Sequence, residues 1–174
     1  REDVFTGEDR VLVPSPRVQS YSDKPEMSAQ EITRRLLEAI KSKKYEFIVV
    51  NFANADMIGH TGNLRAAIQA VHTLDGLFKP IIEAIVQLGG VALMTADHGN
   101  AEMMLDSQTG EINKEHTANA VPIIIVGKAF MREKSAPPDL SVSIPSGILA
   151  DIAPTILSIA GLPIPLEMTG HSLI

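Results

Sequence analysis

Three short apolar runs, the first two set apart by a long stretch of helical period and the last two by a polar, turn-rich stretch, constrain this chain most. They are Phe47-Ile48-Val49-Val50-Asn51-Phe52, Val91-Ala92-Leu93-Met94-Thr95, and Val121 to Val126. The first is rich in β-branched residues and continuous rather than alternating, the pattern of a strand buried on both faces of a parallel sheet, and the other two read as further buried strands. Between the first two lies a long helical pattern: Leu64, Ile68, Val71, Leu74, Phe78, Ile81 or Ile82, Ile85 and Leu88 recur every three to four residues. Pro80 sits inside this pattern and should kink it, because proline removes a backbone donor. Gly89-Gly90 ends it. Upstream, Ser28 and Glu31 form an S-x-x-E capping box opening a helix with Ile32, Leu36, Leu37 and Ile40 on one face. A last helix is predicted from a cap at Asp151 to Ile159, with Pro154 in its first turn and Gly161 as its stop. Strands alternating with helices predict an α/β fold with a mostly parallel sheet and helices on both faces.

Length and composition narrow the class. The 174 residues suit one domain, and 45% apolar with 21% charged residues permits a real core. A net charge of −6 argues against a nucleic-acid partner. An anionic substrate stays open, since bound cations invert the local field. The absence of cysteine removes disulfides and thiolate metal sites, and fits a cytoplasmic protein. No apolar run approaches the roughly 18 residues of a membrane helix, so no membrane partner is expected. The chain opens on Arg1-Glu2-Asp3 without an initiator Met or signal-peptide pattern and reads as a piece of something longer. Residues 1–27, with Pro14, Pro16 and Pro25, are expected to be an extended arm in which Val11 to Val13 is a candidate short strand. A hairpin is expected around Gln108-Thr109-Gly110, and an exposed loop over 127–147 with Pro137-Pro138.

The residues able to do chemistry gather where the strands end. In open α/β sheets, sites form beyond the carboxyl ends of strands. The first strand leads into Asp56 and His60, the second into Asp97 and His98, and His116 precedes the third. Imidazole nitrogen and carboxylate oxygen together suit Mn, Zn, Fe or Co. Asp56 and His60 are four residues apart, a spacing that would align them on a helix, but Gly59 and Gly62 favour a loop folding both inward. Asp97 and His98 are adjacent, so only a sharp turn, permitted by Gly99, brings both to one ion. His72, on the polar helix face, and His171, near the terminus, read as surface residues.

At these residues the chain resembles the cofactor-independent phosphoglycerate mutases, within the wider alkaline phosphatase superfamily. Asn51 to Gly62 looks like that family's signature loop, and Thr95 to Glu102 and His116 to Pro122 resemble two further motifs in order. Pro14-Ser15-Pro16, Lys24 to Ala29, Asp151 to Leu157 and Glu167 to Gly170 are similar as well, so the likeness covers essentially the whole chain. The resemblance implies an incomplete alkaline-phosphatase-like fold. Residues 28–174 would be the C-terminal segment of a metal-binding phosphatase domain, with its N-terminal segment and an inserted transferase domain absent. It implies two divalent ions, manganese foremost with Zn, Co or Fe open. One would be held by Asp56, His60 and His116, the other by Asp97 and His98. The family's nucleophilic serine and N-terminal aspartate have no counterpart here, nor do a lysine preceding this segment and most of the substrate-gripping arginines. The implied reaction interconverts 2-phosphoglycerate and 3-phosphoglycerate through a phosphoserine in glycolysis, with this chain inactive by itself. The alternatives are another superfamily phosphomutase or phosphodiesterase, or a non-catalytic metal-binding module.

Overall fold

The computed structural model describes residues 3–106, 108–131 and 146–174. The chain divides into two compact units. One takes the residues up to Ala84 together with Asn100–Glu115, and the other takes Ile85–Gly99 and His116–Ile174.

In the first unit, residues 3–19 carry no regular structure, so Val11 to Val13 forms no strand, and a single 3-10 turn spans Tyr21–Asp23. Helix α1 (Ala29–Ser42) starts after Ser28 as its spacing predicts, but the capping box is not made. The Ser28 hydroxyl donates instead to the Pro14 carbonyl at 2.7 Å, tying that proline to the helix start. Glu31 accepts from Arg34 and Arg35 at 2.7 Å, and these guanidinium groups pull its carboxyl down to about 2. Leu36 and Ile40 turn inward as expected, joined by Ala29 and Thr33.

The run from Phe47 to Phe52 departs from expectation. It joins no ladder among the described residues, and Phe47 and Val49 are 62% and 78% exposed. A strand is stabilised by partners lying beside it, and an apolar run supplies none of its own backbone bonds. Phe52 stands edge-on to Phe78 with ring centroids 5.8 Å apart.

Residues expected to be a loop form a short helix, α2 (Asn54–Gly59). Its Asn54 is buried and donates to the Pro25 carbonyl at 2.8 Å. Ile58 is completely buried, and with Met27, Ala66, Ala67, Ala70 and Met104 it makes the core of this unit. Helix α3 (Leu64–Gln87) contains Pro80 and runs the predicted length, but its inward face differs. Ala66, Ala67, Ala70, Leu74 and Ile81 are buried, whereas Leu64, Ile68 and Val71 are about half exposed. Alanines let the α3 backbone approach Ile58 closely, and that contact outweighs burial of the larger side chains one position away. The expected hairpin is present. Leu105 pairs with Ile112, and Gly110, at φ +72°, donates its N–H to the Asp106 carbonyl. The Asp106 carboxylate accepts the Thr109 and Gln108 amides, which hold it below the usual carboxylate range.

Within α3, Gly76 has a negative φ and open space where a Cβ would stand. Glycine in a helix interior is destabilising by roughly 0.5–1 kcal/mol relative to alanine. Gly76→Ala is therefore expected to raise stability by about that amount, read as a higher urea midpoint at unchanged slope.

In the second unit, strands β1 (Ala92–Met94) and β2 (Ile124–Val126) fall where the second and third apolar runs predict. They pair antiparallel, Ala92 opposite Val126 and Met94 opposite Ile124. This two-stranded ribbon is the sheet the described residues contain, so the mostly parallel arrangement is not what these strands adopt. Parallel neighbours need a crossover, usually a helix. Here the described residues of the intervening chain carry only a 3-10 turn (Ala101–Met103) and the hairpin, and the chain returns alongside β1 in the opposite sense. Helix α4 (Ile152–Ile159) ends at Gly161, φ +68°, as predicted. Asp151, buried at its start, accepts the Ile148 and His171 amides, each at 2.8 Å, and both lower its pKa. The Thr155 hydroxyl donates to the Asp151 carbonyl and accepts the Leu173 amide, so the last residues are strapped to α4. The expected loop with Pro137-Pro138 lies mainly outside the described residues.

Candidate metal centre

Asp56 lies in the first turn of α2 and His60 caps its C-terminus. The glycines flanking them did not turn this segment into a loop. The helix places the two side chains one turn apart on one face, which is how residues four apart meet. His60 Nε2 is 3.2 Å from Asp56 Oδ1, and both side chains are about one-third exposed. On its other edge the ring is fixed by the Lys114 carbonyl, 2.6 Å from Nδ1. A carbonyl only accepts, so Nδ1 carries the proton and the ring nitrogen facing Asp56 is Nε2. In the neutral ring that nitrogen presents its lone pair to a carboxylate oxygen. Two electron-rich atoms at this spacing are held favourably by a cation lying against both, a proton or a metal ion.

Two groups around the pair had no role in the sequence-based assignment. One is the Lys114 carbonyl, which as main chain carries no sequence signal. The other is Asn100, whose side-chain amide donates to Asp56 Oδ1 at 3.0 Å. Its position directly after Asp97-His98-Gly99 was the available clue.

The other three expected ligands belong to the second unit. Asp97 and His98 follow β1. The Asp97 side chain is 89% exposed, and its Oδ1 is 3.6 Å from His98 Nε2. Gly99 is not in a left-handed conformation. Its role is in pairing: it bridges to Thr117, accepting the Thr117 amide at 2.8 Å. That bridge draws His116 alongside His98, and the two rings stack with centroids 3.7 Å apart and planes 21° from parallel.

Both clusters fit divalent metal ions by donor chemistry. Nitrogen and carboxylate oxygen are present and thiolate is not. The hydrogen-bonded Nδ1 of His60 is the arrangement by which metal-binding histidines are usually oriented. His72 and His171 take no part. His72 is exposed on α3, and His171 contributes its backbone amide to Asp151.

The comparisons with known proteins agree on a family. The Metalloenzyme superfamily profile matches residues 1–164. The 2,3-bisphosphoglycerate-independent phosphoglycerate mutase of Laribacter hongkongensis is 50% identical over 173 residues, covering 99% of this chain and 32% of that protein. The protein of the same name from Thiobacillus denitrificans is 52% identical over 172 residues, covering 98% and 31%. The chain thus spans about a third of the length of the curated relatives it matches. Among solved structures, a Leishmania mexicana phosphoglycerate mutase determined at low cobalt concentration superposes with a TM-score of 0.75 at 32% identity, over 91% of this chain and 30% of that one.

Proposed function

This chain belongs to the Metalloenzyme superfamily, and we propose that it is the metal-binding segment of a 2,3-bisphosphoglycerate-independent phosphoglycerate mutase. The observation that carries the reading is the Asp56–His60 pair, a carboxylate and an imidazole 3.2 Å apart with the ring's far edge fixed on a main-chain carbonyl. Relatives about half identical over nearly the whole chain carry the mutase name, which favours it over a phosphopentomutase, a phosphodiesterase or a non-catalytic module.

The proposed division of labour is as follows. Asp56, His60 and His116 hold one divalent ion, and Asp97 and His98 contribute to a second. Manganese is the first candidate, with Zn, Co and Fe open by donor chemistry. Bound ions of this kind lower the pKa of a hydroxyl nucleophile and offset charge on the phosphoryl oxygens. Asp56 supplies the charge, His60 the directed lone pair, and the Lys114 carbonyl keeps that lone pair on Nε2. The serine that carries the phosphoryl group and the arginines that grip phosphoglycerate come from the rest of a longer cytoplasmic protein. Residues 28–174 complete a mostly parallel sheet with helices on both faces only together with that remainder, and residues 1–27 are its arm. The exposed apolar run Phe47–Val50 supports this, since such a run gains by acquiring neighbouring strands. Among the described residues no helix is long and apolar enough to cross a membrane.

Calorimetric titration with Mn²⁺ tests the reading. One ion should bind measurably and a second weakly, because Asp97 and His98 are two ligands where the first ion has three. His60→Ala should weaken the first ion at least about 10–100-fold, the range seen even for groups that merely orient ligands. Unchanged affinity removes His60 from the ligand set. Turnover of phosphoglycerate by this chain alone, at the rate of a complete mutase, refutes the proposed dependence on further segments.

A further inference from the structure

We infer that Asn100 is a positioning residue that sets the orientation of the Asp56 carboxylate, and that position 59 is glycine to make room for it. The inference rests on the metal-binding reading of Asp56 and His60.

Asn100 is 5% exposed and held by its backbone and by its side-chain nitrogen. Its backbone amide donates to Glu102 Oε2 at 2.7 Å, and its carbonyl accepts the Met103 amide at 3.1 Å. Its side-chain Nδ2 donates to Asp56 Oδ1 at 3.0 Å. A carboxylate facing it can only accept, so the amide nitrogen and not its oxygen must point at Asp56. The remaining oxygen, Oδ1, is buried and finds no hydrogen-bond partner among the described residues. A buried, unpaired amide oxygen is costly, and in native structures such groups are few. Here the amide keeps its donor on the carboxylate at the expense of its own acceptor.

Gly59 supplies the second, independent observation. An ideal Cβ at this position would lie 1.9 Å from Asn100 Oδ1 and 2.7 Å from its Cγ. Gly59 has no positive φ, so its backbone does not require glycine. Alanine is also the better helix former at the end of α2. What alanine would remove is the space Asn100 occupies. A donor fixed on one oxygen of a ligating carboxylate limits its rotation and directs the other lone pairs toward the ion, the usual task of groups just outside a metal's ligands.

The test uses the full chain in three forms: unaltered, Asn100→Leu, which keeps the branching of the side chain and removes the donor, and Gly59→Ala, which keeps Asn100 but displaces it. Each is titrated with Mn²⁺ by calorimetry and with Co²⁺ by visible absorption, whose band reports ligand geometry, and each is melted without metal. Both variants should bind Mn²⁺ about 10–100-fold more weakly and shift the Co²⁺ band, while Gly59→Ala, whose overpacking costs about 1–3 kcal/mol, still unfolds cooperatively in the metal-free melt. Equal affinity with an unmoved band in Gly59→Ala overturns the inference. If Asn100→Leu does not fold, the side-chain amide resonance of Asn100 in the unaltered chain is followed on adding Zn²⁺, and an unmoved resonance also overturns it. Failure of the unaltered chain to bind any of these ions is a different result: it refutes the metal reading of Asp56 and His60, and the inference with it.

Discussion

An Ile58→Ala chain is expected to lose about 2–5 kcal/mol of stability, the range for deleting a large aliphatic side chain from a core. Ile58 is completely buried, against Met27, Ala66, Ala67, Ala70 and Met104. Two of these neighbours are methionines that can shift to fill part of a cavity, whereas the three alanines of α3 cannot. The loss is large against the roughly 5–15 kcal/mol that holds a typical domain together. It also bears on the proposed metal site. Helix α2 has six residues, too few to be stable without tertiary packing, and Ile58 lies between Asp56 and His60 within it. Urea denaturation should show a lower midpoint at unchanged slope, and Mn²⁺ affinity should fall with it. Ile58→Val, which removes one methylene, is expected to cost about 0.5–1.5 kcal/mol. A midpoint for Ile58→Ala matching that of the unaltered chain would refute the packing argument.

Gly170→Ala is expected to be the most damaging single-methyl addition in the second unit. An ideal Cβ there would stand 2.1 Å from the Ala150 carbonyl oxygen, 2.5 Å from its carbon and 2.9 Å from the Asp151 amide nitrogen. All three atoms are backbone, so no side chain can swing aside. Overpacking of this kind costs about 1–3 kcal/mol or more. The simplest relief is release of the terminal strap, with loss of the His171 amide from Asp151 and the Leu173 amide from Thr155. Hydrogen exchange at His171 and Leu173 should then accelerate, and the melting temperature should fall. A second readout is acid stability. The Ile148 and His171 amides hold the Asp151 carboxyl below its ordinary value. The stability it contributes is therefore present above that ordinary value and lost as pH falls through the lower folded value. Without the His171 bond the folded value rises toward the ordinary one, so the variant loses this contribution at higher pH. Protection at His171 and Leu173 equal to the unaltered chain would refute the clash.

The helices were legible because their evidence is local. α1, α3 and α4 satisfy their own backbone bonds within a few residues, so spacing, caps and stop signals such as Gly161 locate them within about a turn. The hairpin at Gly110 was legible for the same reason. For α2 the two local signals conflicted. The four-residue spacing of Asp56 and His60 favoured a helix and the glycines a loop, and burial of Ile58 and Asn54 decided for the helix. Strands depend on neighbours far away in the chain. The second and third apolar runs became β1 and β2, but their antiparallel sense came from how the intervening chain returns, and Phe47–Phe52 joined no ladder among the described residues.

The sequence by itself determined the donor chemistry of any metal site, imidazole and carboxylate without thiolate, and it located the segments that bear those donors. The tertiary structure decided which α3 face turns inward, that Asp56 and His60 meet across one helical turn, and that Asn100 and the Lys114 carbonyl hold them. Ligand identity is a property of single side chains, which a sequence states outright. The groups that orient those ligands act through proximity, and here they come from residues 44 and 54 positions further along the chain.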